Sequence, residues 1–80
     1  MITEITSMPR YFFHLENARP FRDVDGLELP DIDAAHDEAV GLARDIMRLE
    51  PGRRNWSKWT VSVTDGNESR VLQIPFSDVN

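Results

Sequence analysis

Apolar positions along the chain fall into five blocks, and their spacing changes from two residues to three or four and back to two. The first block, residues 11–15, packs apolar and aromatic side chains together without a glycine, as strands do. Alternation sends Tyr11, Phe13 and Leu15 to one face and Phe12 and His14 to the other. Aromatics on both faces predict a central strand. Asn17-Ala18-Arg19-Pro20 reads as a turn. Residues 21–29 read as a weaker second strand, with Phe21, Val24 and either Leu27 or Leu29 directed inward and a bend or bulge at Asp25-Gly26. The two strands make a β-hairpin. Pro30-Asp31 then opens a helix, because the Asp31 carboxylate can accept from the free amides of the first turn. Ile32, Ala35, Ala39, Leu42, Ile46 and Leu49 recur every three or four residues, and Val40, Ala43 and Met47 widen the stripe. This predicts an amphipathic helix over 32–50, ended by Pro51-Gly52. Trp59, Val61 and Val63 alternate with Thr60, Ser62 and Thr64, Asp65-Gly66-Asn67 is a turn signal, and Leu72, Ile74 and Phe76 alternate again. Pro75 cannot donate to a ladder, which puts it at a sheet edge or a strand end.

The order is strand, strand, helix, strand, strand. It predicts an α+β fold, a four-stranded antiparallel sheet with one helix packed on one face. The expected core is Tyr11, Phe13, Leu15, Ala35, Ala39, Leu42, Ile46, Trp59, Val61, Val63, Leu72 and Ile74. Residues 1–7 show no trusted period and are expected to form a flexible N-terminal extension, with 8–80 as a single domain. Eighty residues suffice for one domain and not two. No apolar run approaches the ~20 residues that span a bilayer, so no membrane role is expected. The start lacks the charged and apolar segments of a signal peptide. With no cysteine, disulfides and thiolate chemistry are excluded.

Met8-Pro9-Arg10-Tyr11-Phe12-Phe13-His14, Gly26-Leu27-Glu28-Leu29-Pro30-Asp31 and Trp59-Thr60-Val61-Ser62-Val63-Thr64-Asp65 together resemble a family of small bacterial proteins classed only as a domain of unknown function. Its members open on the first of these motifs and close near a Pro-Phe-Ser-Asp segment, here Pro75 to Asp78. The resemblance implies a bacterial, cytoplasmic setting and Met8 as the usual start. It brings no activity and no site residues.

The net charge of −5 is unevenly spread. Residues 16–38 hold eight acids and two bases, and residues 44–58 hold five bases and two acids. Such a split can steer a charged partner, but the preference of acids for helix starts and bases for helix ends accounts for it more simply. His14 and Glu16 share a strand face, yet two histidines and scattered carboxylates are an ordinary complement rather than a metal site. Asp23-Val24-Asp25-Gly26 resembles a calcium loop only superficially, since the glycine is misplaced and the distal glutamate missing. His36 follows Asp33 by three residues, which suits a surface histidine better than an oriented base. There is no phosphate loop and no nucleophile elbow. No cofactor is expected.

These readings point to a non-enzymatic protein-interaction domain, with a protein partner or self-association through the sheet. A single helix covers one sheet face, and the contact residues expected on or beside the other are Phe12, His14 and Trp56. The alternative is nucleic-acid binding through a basic-aromatic loop, with Arg53, Arg54, Trp56 and Lys58 as contacts. The acidic balance of the whole chain weighs against it, because phosphate binding needs a dominant positive field.

Overall fold

Phe13 and Val63 lie opposite one another in the middle of the sheet, and the other elements are arranged around that pair. The computed structural model describes residues 8–16, 21–53 and 55–79. The expected extension over 1–7, the turn at 17–20 and Arg54 lie outside these. The elements are β1 (Arg10–Glu16), β2 (Leu27–Glu28), α1 (Ile32–Leu49), β3 (Thr60–Thr64) and β4 (Arg70–Pro75), followed by a 3-10 turn over Phe76–Asp78. The sheet is antiparallel with order β2-β1-β3-β4. This is the predicted α+β fold, with β1 central and Pro75 both on an edge strand and at its end.

Burial alternates along the first half of β1, whereas in β3 Ser62 is buried between the two valines. Tyr11, Phe13, Val61 and Val63 are buried. The helix begins where Asp31 Oδ1 accepts from the Ala34 amide at 2.9 Å. Its fully buried residues are Ala35, Ala39 and Ala43, while Leu42 and Ile46 are half-buried against the same core. The alanines form the line of closest approach, and the longer side chains flank it. The far end of the core is built from Phe76, 1% exposed, and Val79. Phe76 was expected to continue β4; instead the chain turns at Pro75, and the Phe76 amide donates to the Trp59 carbonyl at 2.9 Å. Phe76, Val79 and Ala43, the last already in the helical stripe, join the core beyond the residues expected there. Leu15, Leu42, Ile46, Trp59 and Leu72 pack against it half-buried.

The segment 21–29 departs most from expectation. Its backbone pairs with β1 as a ladder at its two ends only, through the Leu15–Phe21 bridge and the two residues of β2. Between them 22–26 leaves the ladder, turning through Gly26 at φ 71°. Phe21, Val24 and Leu27 are 59%, 76% and 40% exposed, and only Leu29 packs on the core. The cause is the position of α1, whose main contacts are with β3 and β4. The β3–β4 turn also differs in detail. Its left-handed residue is Glu68, φ 64°, and not Gly66, with Asp65 Oδ1 accepting from the Asn67 and Ser69 amides. A register shift follows between Val63 and Thr64.

Candidate functional site

Facing away from α1, β1 presents Phe12, His14 and Glu16 beside Thr64, Ser62 and Thr60 of β3. The gap that 22–26 leaves beside β1 is filled by Asp23. Its Oδ2 accepts from the Phe13 amide at 3.1 Å, and its Oδ1 accepts from the Asp25 and Gly26 amides at 3.0 and 3.1 Å. Burial acts to raise the Asp23 pKa. The three amide hydrogen bonds, followed by the charge interaction with His14, outweigh it and hold the carboxyl below the ordinary 3.8. The Asp23 amide in turn donates to His14 Nδ1 at 3.0 Å. That leaves Nδ1 without a proton, so the neutral ring carries its hydrogen on Nε2 and donates it to Thr64 Oγ1, 3.0 Å away. A histidine acting as base toward that hydroxyl needs the opposite tautomer. The arrangement ties β3 to the 22–26 loop through the β1 histidine and does not prime a nucleophile.

The rest of this face is also polar and internally paired. Arg70 Nε donates to the buried Ser62 Oγ at 3.1 Å, and its terminal nitrogen meets Glu16 Oε2 at 3.1 Å. Phe12 is half-buried, and its ring closes against Gly26 so tightly that an added Cβ there would come within 2.8 Å of it.

Trp56 belongs to the opposite end of the sheet. Phe12 lies opposite Thr64, whereas Trp56 packs beyond Thr60, about 13 Å further along β3. The Trp56 ring stacks on Phe76 with centroids 5.5 Å apart and meets Trp59 edge-on at 5.1 Å. The Arg53 guanidinium lies 5.2 Å from both indole centroids, and its Nη2 pairs with Glu50 Oε1 at 2.7 Å. Lys58 is exposed beside this cluster, and Arg54 lies outside the described residues. The structure therefore brings Arg53 and Trp56 together, but in contacts with their own chain. The rings on which a base would stack already pack against each other and against Phe76.

His36 sits on α1, exposed, with Nδ1 3.8 Å from Asp37 Oδ1, on the other side of the sheet from His14. Among the described residues no three histidines, cysteines or carboxylates gather as metal ligands would. Sequence reasoning missed Asp23 and Thr64 as organisers of this face. The signal for Asp23 was present in Asp23-x-Asp25-Gly26, the pattern of an Asx turn.

The sequence model of a family described as Domain of unknown function (DUF6894) matches residues 10–77, from the first residue of β1 into the final 3-10 turn. No curated protein and no solved structure gives a significant match.

Proposed function

The chain belongs to the DUF6894 family of unknown function, and from that premise we propose that it is a non-enzymatic protein-interaction domain that self-associates through the β2 margin of its sheet. One observation carries the reading. Six large hydrophobic residues are exposed among the described residues, and four of them, Met8, Phe21, Val24 and Leu27, flank this margin. A gathering of that kind marks a contact surface, whereas single exposed apolar residues need no explanation. The margin is also self-complementary in charge. Arg10 and Glu28 lie side by side there, 3.0 Å apart and both exposed, so a two-fold axis brings each to its opposite in the second copy. Among the described residues no strand pairs with the outer edge of β2, where its own copy could add. Arg53, Trp56 and Trp59 are engaged within the chain, which supports this reading over nucleic-acid binding through the 53–58 loop. The bacterial and cytoplasmic setting implied by the resemblance is part of the proposal.

Sedimentation equilibrium at rising protein concentration tests it. The expected result is a dimer that Leu27→Glu converts to a monomer with its helical circular dichroism intact. A wild-type monomer throughout the range would overturn the proposal, as would a dimer indifferent to Leu27→Glu.

A further inference from the structure

Both ring nitrogens of the half-buried His14 are engaged, and with different elements. Nε2 reaches Thr64 Oγ1 on β3 at 3.0 Å, and Nδ1 accepts the main-chain amide of Asp23, in the 22–26 loop, at 3.0 Å. A backbone N–H donates and cannot accept, so the second bond exists only while Nδ1 carries no proton. Protonating the ring gives Nδ1 a hydrogen and sets two donors against each other. The Asp23 carboxylate, whose charge already interacts with the ring, attracts the new donor. Its oxygens hold the Phe13 amide of β1 and the Asp25 and Gly26 amides that shape the loop. A proton on His14 therefore breaks the main-chain tie to Asp23 and competes for the carboxylate that fastens the loop to β1. Arg10 Nη1, donating to the Asp25 carbonyl at 2.8 Å, does not depend on His14, so the loop loosens rather than detaches.

Charged groups face the ring from each element beside it: Glu16 on β1, Arg22 and Asp23 on the loop, Asp65 and Glu68 at the β3–β4 turn, and Arg70 on β4. Arg70 is tied to Glu16 and Ser62, and Asp65 Oδ1 to the Asn67 and Ser69 amides. Histidine alone among ordinary side chains changes charge between about pH 5 and 8. The other histidine, His36, is on α1, across the sheet.

We propose that His14 is a proton switch for the 22–26 loop: the neutral ring fastens the loop to the sheet, and protonation releases it. The consequence for the dimer rests on the self-association proposed above. Val24 lies in the loop, and Phe21 and Leu27 stand at its two ends. A contact surface that must be ordered on binding binds less tightly, so self-association weakens as the pH falls.

The test follows the ¹⁵N-labelled whole chain by NMR from pH 8 to pH 5.5, as wild type and as Leu27→Glu, in which association is blocked. At pH 8 the His14 ring should carry its proton on Nε2. As the ring takes its second proton, the amides of Phe13, Asp23, Asp25 and Gly26 should shift with the same midpoint. Protection of the Asp23 amide from hydrogen exchange, corrected for the intrinsic rate at each pH, should fall at least about threefold. Sedimentation of the wild type should give a dimer dissociation constant about three- to tenfold higher at pH 5.5 than at pH 7.5, the worth of one hydrogen bond. His14→Asn offers an oxygen in place of Nδ1 and does not titrate, so its constant should be the same at both pH values, while His36→Gln should behave as wild type. A ring that takes its proton while the Asp23 amide keeps its shift and protection would overturn the proposal, as would a ring still neutral at pH 5.5. A pH dependence of the dimer that survives in His14→Asn would overturn the link to association. A wild-type monomer at both pH values would overturn self-association alone, because the amides of Leu27→Glu still decide the switch.

Discussion

Between the two places where β1 meets the segment 21–28, one carboxylate stands in for a strand. Asp23 accepts the Phe13 amide that would otherwise face an empty gap, and it holds the Asp25 and Gly26 amides at the same time. Asparagine keeps one acceptor but turns an amide donor toward one of these N–H groups. Asp23→Asn should therefore cost about 1–3 kcal/mol at neutral pH, measured by urea unfolding. The ionised form is the one the fold prefers, so the folded pKa lies below the unfolded one. The contribution is complete above the ordinary 3.8 and is lost as pH falls through the folded value. Wild-type stability should thus decline in acid, and the variant should show a shallower decline. Gly26 is the matching backbone requirement. A methyl there would meet Arg10 Cγ and Phe12 Cε2 at 2.8 Å and the Tyr11 carbonyl oxygen at 2.9 Å, at a positive φ that disfavours any side chain. Gly26→Ala should cost more than about 1 kcal/mol by thermal melting, and the Phe12 ring resonances should move. The Asx pattern was legible in the sequence. The hydrogen bond from His14 to Thr64 was not, because it joins residues 50 positions apart.

The helix was legible almost to the residue, because its cap, its three-to-four period and its proline-glycine stop agree with one another. Periodicity did not show that the alanines, rather than the leucines, lie nearest the sheet. That depends on how closely two elements approach, which a local pattern does not encode. Gly41 is a case where structure decides between two meanings. Nothing stands within 4 Å of a Cβ built there, so this glycine serves no close packing and only raises the entropy cost of the helix. Gly41→Ala should stabilise the protein by about 0.5–1 kcal/mol, read as a higher urea midpoint at an unchanged slope. The second strand was the least legible element. Its apolar residues look like inward positions, but inward requires something to cover them, and α1 lies mainly over β3 and β4.

At the scale of the whole molecule, stability leans on few large side chains, because a domain of this size buries a smaller share of its surface than larger ones. Phe76 is the largest fully buried residue and closes the core against Trp56 and Trp59. Phe76→Ala should cost about 3–5 kcal/mol, a large part of the total for so small a fold, and circular dichroism with urea titration would measure it. Phe76 shares the alternation of Leu72 and Ile74 but was not among the expected core residues, and it lies past the strand in the 3-10 turn. The strand order has a consequence in time. β3 and β4 close over a short turn, with Thr64 opposite Arg70. The central pairing of β1 with β3 joins residues 44 to 52 positions apart, Glu16 with Thr60 and Phe12 with Thr64. Loop closure over the longer span costs about 2 kcal/mol more. The hairpin is therefore expected to form early and β1 to dock last, leaving the inner edge of β3 unpaired until it does. During that interval a β1 from another chain is a chemically equal partner. Refolding from urea at high protein concentration should then yield strand-exchanged dimers that dissociate far more slowly than dimers assembled from folded monomers, a difference that size-exclusion chromatography would resolve.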